Sequence, residues 1–344
     1  MDSRKLVRKT LSFDSPEVIP RQIWILPWAE ERYPDEVQRL RSAFPDDIVK
    51  APLVYREPLR TKGDRYALGT YVDEWGCIFT NNHSGIIGVV KEPRISTWDD
   101  LESFKPPESI LSLDRDVVNA FCRESDCFVL AGTLQRPFER LQFLRTMKQA
   151  FIDLAEQLPE LFELLSRIHQ LYLKEIEIWV STDIDAIFIM DDWGTQDKMM
   201  ISPALWRRIF KPMYKEYVDV AHKYGKYVFM HSDGYITNII PDLIEIGIDA
   251  LNSQVFCMGV KDLGERFRGK ITFWGEVDRQ HLLPYGSREE IQRAVYELWR
   301  NLYADGGIIA QCEFGPGAKP ENIFSVFETW QSLNENRRIP KGKT

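Results

Sequence analysis

A single-domain (β/α)8 barrel is the fold this sequence predicts, and three observations carry that expectation. Short apolar runs of β type alternate with amphipathic helical stretches along most of the chain. About eight such runs occur, most of them continuously apolar, as parallel strands covered on both faces require. No Gly-x-Gly-x-x-Gly follows any of them, which disfavours an open dinucleotide-binding sheet.

The runs are 22–26 (QIWIL), 75–80 (WGCIFT), 127–132 (CFVLAG), 186–190 (AIFIM), 227–230 (YVFM), 250–252 (ALN), 271–274 (ITFW) and 307–312 (GIIAQC). Between them the helices announce their ends. Ser202-Pro203 supplies an N-cap and a first-turn proline for a helix that stops at Gly225, with Pro212 expected to kink or break it. Residues 241–246 lead into Gly247 as a C-cap, and Ser287 with Glu290 forms a capping box for a helix to about residue 303. The stretch 146–179 reads as one or two long helices with a break near Pro159. Residues 1–20 lack a clear period and read as a loosely held N-terminal extension. The barrel takes 21–335, and 336–344 (NRRIPKGKT) is a polar, basic tail.

Composition narrows the function. With 344 residues, 44% hydrophobic and 28% charged, the chain is an ordinary globular one. A net charge of −8 argues against a nucleic-acid partner, since phosphate contacts need a basic face. No apolar run is long enough to span a membrane, and the basic start lacks the apolar core of a secretory signal. Five scattered cysteines, an odd number, fit a reducing compartment, so a cytoplasmic location is expected.

In such a barrel the chemistry sits where each strand hands over to its loop at the carboxyl end. Trp28 follows the first run, and Asp73 flanks the second. Arg136 follows the third, Asp192 and Trp193 the fourth, His231 and Asp233 the fifth. Asn252 and Gln254 come from the sixth, Glu276 from the seventh, and Cys312 from the eighth. Asp192, Glu276 and Asp73 are candidate catalytic acids or bases. Trp28, Trp193, Arg136, Asn252 and Gln254 are candidate substrate contacts. His231, Asp233 and Cys312 offer nitrogen, oxygen and sulfur to a zinc ion, leaving a fourth position for substrate. A hydrogen-bonded strand-end histidine and a buried free thiol are the plainer alternatives. His281, in a loop three residues after Asp278, could reach the same mouth, but a surface position is the expectation.

The stretches VDEWG (72–76), DDWGTQDKMMISPALWRRIFKPMYKEYVDVAHKYGKYVFMHSDG (191–234), IIPDLIEIGIDALNSQ (239–254), FWGEVD (273–278) and GPGAKPENI (315–323) together resemble the uroporphyrinogen decarboxylase superfamily. The likeness runs over roughly residues 20–335 and implies a (β/α)8 barrel. That superfamily contains cofactor-free decarboxylases and zinc-dependent methyltransferases that work with corrinoid proteins. In the decarboxylases the first strand runs into Arg-Gln-Ala-Gly-Arg, whose arginines hold the substrate's carboxylates. Here that place reads Pro27-Trp28-Ala29-Glu30-Glu31, so both cations are missing.

The methyltransferase branch binds zinc through His-x-Cys after the fifth strand and a Cys on the last. His231 and Cys312 match, and Asp233 stands where the first Cys would be. The resemblance thus implies a zinc-assisted methyltransferase that moves a methyl group between a small substrate and cobalamin. An aryl methyl ether, a methylamine or a thiol is the expected substrate class. The chain lacks an Asp-x-His-x-x-Gly motif, so the corrinoid would be carried by a separate protein. A homodimer of the family's kind is among the expectations. The alternative is a metal-free carboxy-lyase using Arg136, Asp73 and Asp192, and a third reading is a binding protein without catalysis.

Overall fold

The computed structural model describes residues 2–338. Eight parallel strands form the barrel: β1 (Arg21–Ile25), β2 (Ile48–Lys50), β3 (Phe128–Leu130), β4 (Ala186–Met190), β5 (Tyr227–Ser232), β6 (Ala250–Ser253), β7 (Thr272–Trp274) and β8 (Ile308–Phe314). Each ladder is parallel, and the order around the sheet is β1-β8-β7-β6-β5-β4-β3-β2. This is the expected (β/α)8 barrel.

The ends of that order, β1 and β2, meet across a seam closed mainly by side chains. The Arg21 N–H donates to Asp47 Oδ2 (2.8 Å) and the Ile23 N–H to Asp46 Oδ1 (2.7 Å). Gln22 Nε2 donates to the Ile48 carbonyl (3.0 Å), and the Asp47 N–H to the Arg21 carbonyl (2.9 Å).

The second strand corrects the sequence reading. Residues 75–80 do not supply it: Ile78–Asn81 is the middle strand of a separate antiparallel sheet with Gly69–Val72 and Val89–Glu92. That sheet belongs to a long excursion between β2 and β3. The true second strand has three residues and follows two aspartates, too short to show a period.

The N-terminal extension is also better held than expected. Asp2 caps a helix, Ser3–Leu11, through its carboxylate to the Lys5 N–H (3.2 Å). Val7 and Leu11 of this helix join the cluster inside the barrel, with Ile48, Phe128, Phe188, Phe229 and Trp274. Arg4 and Arg8 both pair with Asp185, at 2.8 and 2.7 Å, where the chain enters β4. The helix therefore closes the amino-terminal end of the barrel.

Most helix boundaries agree with their signals. The box of Ser287 and Glu290 is formed, and Gly247 takes the left-handed C-cap at φ 99°. The break near Pro159 separates Met147–Glu156 from Pro159–Val180. Pro212 does not break its helix, which runs from Pro203 to Lys223. The last helix, Pro320–Arg338, takes in the first residues of the expected tail, and 339–344 lie outside the described residues. Among the described residues no helix is long and apolar enough to cross a membrane.

Candidate active site

Strand parity decides which side chains enter the barrel mouth. On β5, Phe229 belongs to the interior cluster, so His231 points inward one layer above it. By the same alternation Met190 rises above Phe188, Asn252 above Ala250, Glu276 above Trp274 and Lys50 above Ile48. The ladder sets Met190 beside His231, and His231 beside Asn252.

His231 is the centre of this layer. It is 2% exposed, and its Nδ1 lies 2.5 Å from Asn252 Oδ1. Asn252 spends its amide hydrogens on the Trp274 carbonyl and on Gln311 Oε1, so its oxygen must accept and His231 Nδ1 must carry the proton. Nε2 is then aimed at two carboxylates, Asp233 Oδ1 at 3.3 Å and Asp192 Oδ1 at 3.5 Å. Burial disfavours a charged imidazole here. The carboxylate of Asp233 beside it, helped by Asp192 and Glu276, outweighs that cost and lifts the His231 pKa to about 10. Burial likewise opposes ionisation of Asp233, yet His231 and Arg279 hold its carboxyl well below the usual range.

Two loops deliver those aspartates to one point. Gly194 and Gly234 meet backbone to backbone. A Cβ on Gly194 would come within 2.4 Å of the Tyr235 nitrogen, and one on Gly234 within 2.3 Å of Gly194. Gly234 also sits at φ 76°, which favours glycine. The contact is locked by the Gly194 N–H to the Asp233 carbonyl (3.1 Å) and the Asp233 N–H to Asp192 Oδ1 (2.9 Å).

Arg279, in the loop after β7, ties the remaining acids together. It bonds Asp233 Oδ2, donates to Glu313 Oε1 at 3.2 Å and faces Glu276 Oε1 at 3.8 Å. Glu276 is 2% exposed, and its Oε1 lacks a hydrogen-bond partner. Burial raises its pKa to about 7 against the pull of Arg279, so it holds and releases a proton near neutrality. Beside it lies a cleft of ≈ 220 Å³, lined by Gln254, Cys257, Glu276, Asp278, Arg279 and His281 among others. Trp24, on β1, lays its ring 5.2 Å from that of His231 and the same distance from Trp274, giving the mouth an aromatic floor.

The structure thus brings Asp192, His231, Asp233, Asn252, Gln254 and Glu276 to one end of the barrel, with Arg136 beside Met190 across it. It does not bring Cys312. On β8 the inward residues are Ile309, Gln311 and Glu313. Cys312 is fully buried with the outward-facing core between strands and helices, paired in register with Ile23. Burial raises its thiol pKa well above normal, the opposite of a thiolate ligand. The His/Asp/Cys set expected from sequence is therefore replaced by Asp192, His231 and Asp233, whose ligand atoms lie within 4.8 Å of one another.

Three further candidates serve the scaffold. Asp73 accepts from the Trp75 and Cys77 N–H groups and binds Arg140 at 2.5 Å, so its oxygens are committed to a turn of the excursion. Trp193 is stacked on Phe138 at 4.2 Å and donates to Tyr214, beneath the loop and closed to solvent. Trp28 packs against Tyr33 with the Arg32 guanidinium over its ring, in the outer layer of the molecule. Sequence reasoning missed Arg279, three residues after Glu276 in the stretch FWGEVDR, and Lys50, whose strand it did not find.

The family model described as Uroporphyrinogen decarboxylase (URO-D) matches residues 73–333. The chain belongs to the uroporphyrinogen decarboxylase family. Among solved structures, this family member is similar to a methyltransferase from Methanosarcina mazei. The TM-score is 0.71 at 16% identity, over 96% of this chain and 98% of that one, a likeness of fold. A 3-keto-D-glucoside 4-epimerase from E. coli matches at TM-score 0.38 and 10% identity, over 65% of this chain and 84% of that one. A sugar phosphate isomerase/epimerase from Parabacteroides distasonis matches at 0.39 and 11%, over 91% and 96%. No protein of curated function matches this URO-D family member significantly.

Proposed function

We propose that this URO-D family protein is a methyltransferase. It takes a small methylated substrate in the barrel mouth and exchanges the methyl group with cobalamin carried by a partner corrinoid protein. The observation that carries the reading is the buried His231 Nε2 aimed at Asp192 and Asp233 over the Trp24 floor, beside a Glu276 poised to exchange a proton. The fold shared with a methyltransferase over nearly the whole of both chains supports it.

The residues present fit a divalent ion of the zinc class without a thiolate. His231 Nε2, Asp192 and Asp233 converge, Asp233 Oδ1 is buried without a hydrogen-bond partner, and Asn252 fixes the tautomer from the second nitrogen. Bound there, zinc would act as a Lewis acid toward the heteroatom that carries or receives the methyl group. The chain's own groups do the rest. Trp24 excludes water below the substrate, Arg279 holds Asp233 in place, and Glu276 supplies or takes the proton that the heteroatom exchanges.

Metal analysis of protein purified without chelator tests the reading, together with methyl transfer from a panel of aryl methyl ethers, methylamines and thiols to cobalamin. About one zinc per chain is expected, lost with transfer activity in His231→Ala and retained in Cys312→Ser. Release of carbon dioxide from a carboxylic acid by metal-free protein, with no methyl transfer, would favour the carboxy-lyase instead. That second reading draws on the cations Arg136 and Lys50 at the mouth.

A further inference from the structure

The barrel mouth is electrically divided. On the β4–β7 side the carboxylates of Asp192, Asp233 and Glu276 are met by His231 and Arg279. The β2–β3 side carries two cations, of which Arg136 has Glu139 as its acid and Lys50 meets none among the described residues. Lys50 projects inward from the carboxyl end of β2, with Nζ 4.9 Å from the centre of the Phe188 ring and 5.9 Å from that of Trp24. Among the described residues, those ring faces are its partners, and no carboxylate or carbonyl meets the ammonium.

Its side chain reaches open solvent in the mouth. Arg136 and Arg65 stand nearby and add to the positive potential that an entering anion would meet. Arg136 completes this wall. Only about a tenth of its side chain is exposed, Nη2 reaches the Met190 sulfur at 3.4 Å, and its nearest acid, Glu139, stands 3.6 Å away.

An aromatic floor with an unpaired ammonium and a guanidinium above one edge recognises a flat apolar body ending in an anion. We propose that Lys50 and Arg136 form a carboxylate subsite, so that the natural substrate is an aromatic or similarly flat acid. It would lie on Trp24, above the buried Phe188, with its carboxylate on the β2–β3 side and its opposite end toward His231. The cluster of His231, Asp192 and Asp233 then handles the reacting group, and Lys50 and Arg136 set its distance from the anion. The missing arginines at 27–31 do not leave the chain without an anion site; the cations come from β2 and from the loop after β3. This deepens the methyltransferase reading and rests on it only for the identity of the reacting group.

Calorimetric titration of 4-methoxybenzoate against its uncharged isostere 4-methoxybenzamide tests the subsite without needing turnover. The acid should bind wild-type protein about tenfold to hundredfold more tightly than the amide, the worth of one or two charge-assisted hydrogen bonds. Lys50→Met keeps the stem over Phe188 and should weaken acid binding about tenfold, with a much smaller effect on the amide, Arg136 supplying what preference remains. Lys50→Arg should restore most of the acid binding, which separates lost charge from lost folding. Equal affinity for acid and amide, no binding of the acid, or a preference undiminished by Lys50→Met would each overturn the proposal. Acid-selective binding without methyl transfer would sink the methyltransferase reading and spare the subsite. Equal methyl transfer from acid and amide would do the reverse.

Discussion

A histidine at the end of an inward-facing strand position can be a metal ligand or a buried cation, and pH separates the two. In metal-free protein His231 is lifted to about 10 by Asp233 and Asp192 after the cost of burial. A base raised above its ordinary value stabilises the fold fully below that value, near pH 6.5, and the stabilisation fades as pH climbs through about 10. Asp233, held low, contributes above its own ordinary value and fails only in acid, so it leaves the alkaline limb to His231. In chelator-treated protein, His231→Gln should therefore cost on the order of a few kcal/mol near pH 6 and almost nothing near pH 10.5. Urea midpoints of both proteins across that range check it, and a gap that stays constant would mean His231 is neutral in the fold.

At this scale the sequence was legible where strand ends could be found. His231, Asp192, Asp233, Asn252, Gln254 and Glu276 all follow correctly placed strands, and they meet. Cys312 fails for one reason. Residues 307–312 are nearly all apolar, and a strand buried on both faces carries no alternation to show which residues turn inward. One step of parity sends a thiol to the helices and Glu313 to the mouth. Asp73 fails differently, because an excursion sheet stands where a strand end was expected, while Trp28 lies in the helix Pro27–Arg32 that follows a correctly placed β1.

Among the elements, the N-terminal helix was hidden by its length. Ser3–Leu11 buries Leu6, Val7, Thr10 and Leu11, a spacing that nine residues repeat too few times to reveal. Its stability comes from docking: Val7 is fully buried in the barrel's lower layer, and Arg4 and Arg8 converge on Asp185. Asp185 in turn accepts the Val129 N–H at 2.9 Å, so the helix is tied to β3 and β4 together. Val7→Ala should cost about 1–3 kcal/mol through lost burial and the cavity it leaves. The same change at exposed Lys5 should stay within about 0.5 kcal/mol. Denaturant titration of the two variants decides whether the extension is part of the cooperative fold; equal midpoints would make it an appendage.

The barrel as a whole closes in a way that binds its stability to its mouth. Seven neighbouring strand pairs share ladders, whereas β1 and β2 are joined largely by Asp46 and Asp47 reaching the backbone amides of Ile23 and Arg21. Removing either carboxylate strands a backbone N–H in a partly buried seam, a loss of about 1–3 kcal/mol each. The two act on one seam, so Asp46→Ala combined with Asp47→Ala should depart from simple addition. The same seam spaces Trp24 on β1 from Lys50 on β2, 5.9 Å from ring centre to Nζ. Loosening it should therefore do two things at once. Exchange of the Arg21 and Ile23 amides should quicken by about tenfold or more, and selective binding of the aromatic acid should weaken. The His231 cluster on β4–β5 keeps its own ladder, five paired residues long, and its amides should exchange at the wild-type rate. Hydrogen exchange read strand by strand, alongside the acid titration, distinguishes this from general destabilisation. Uniform acceleration around all eight strands would show that closure does not depend on the two aspartates.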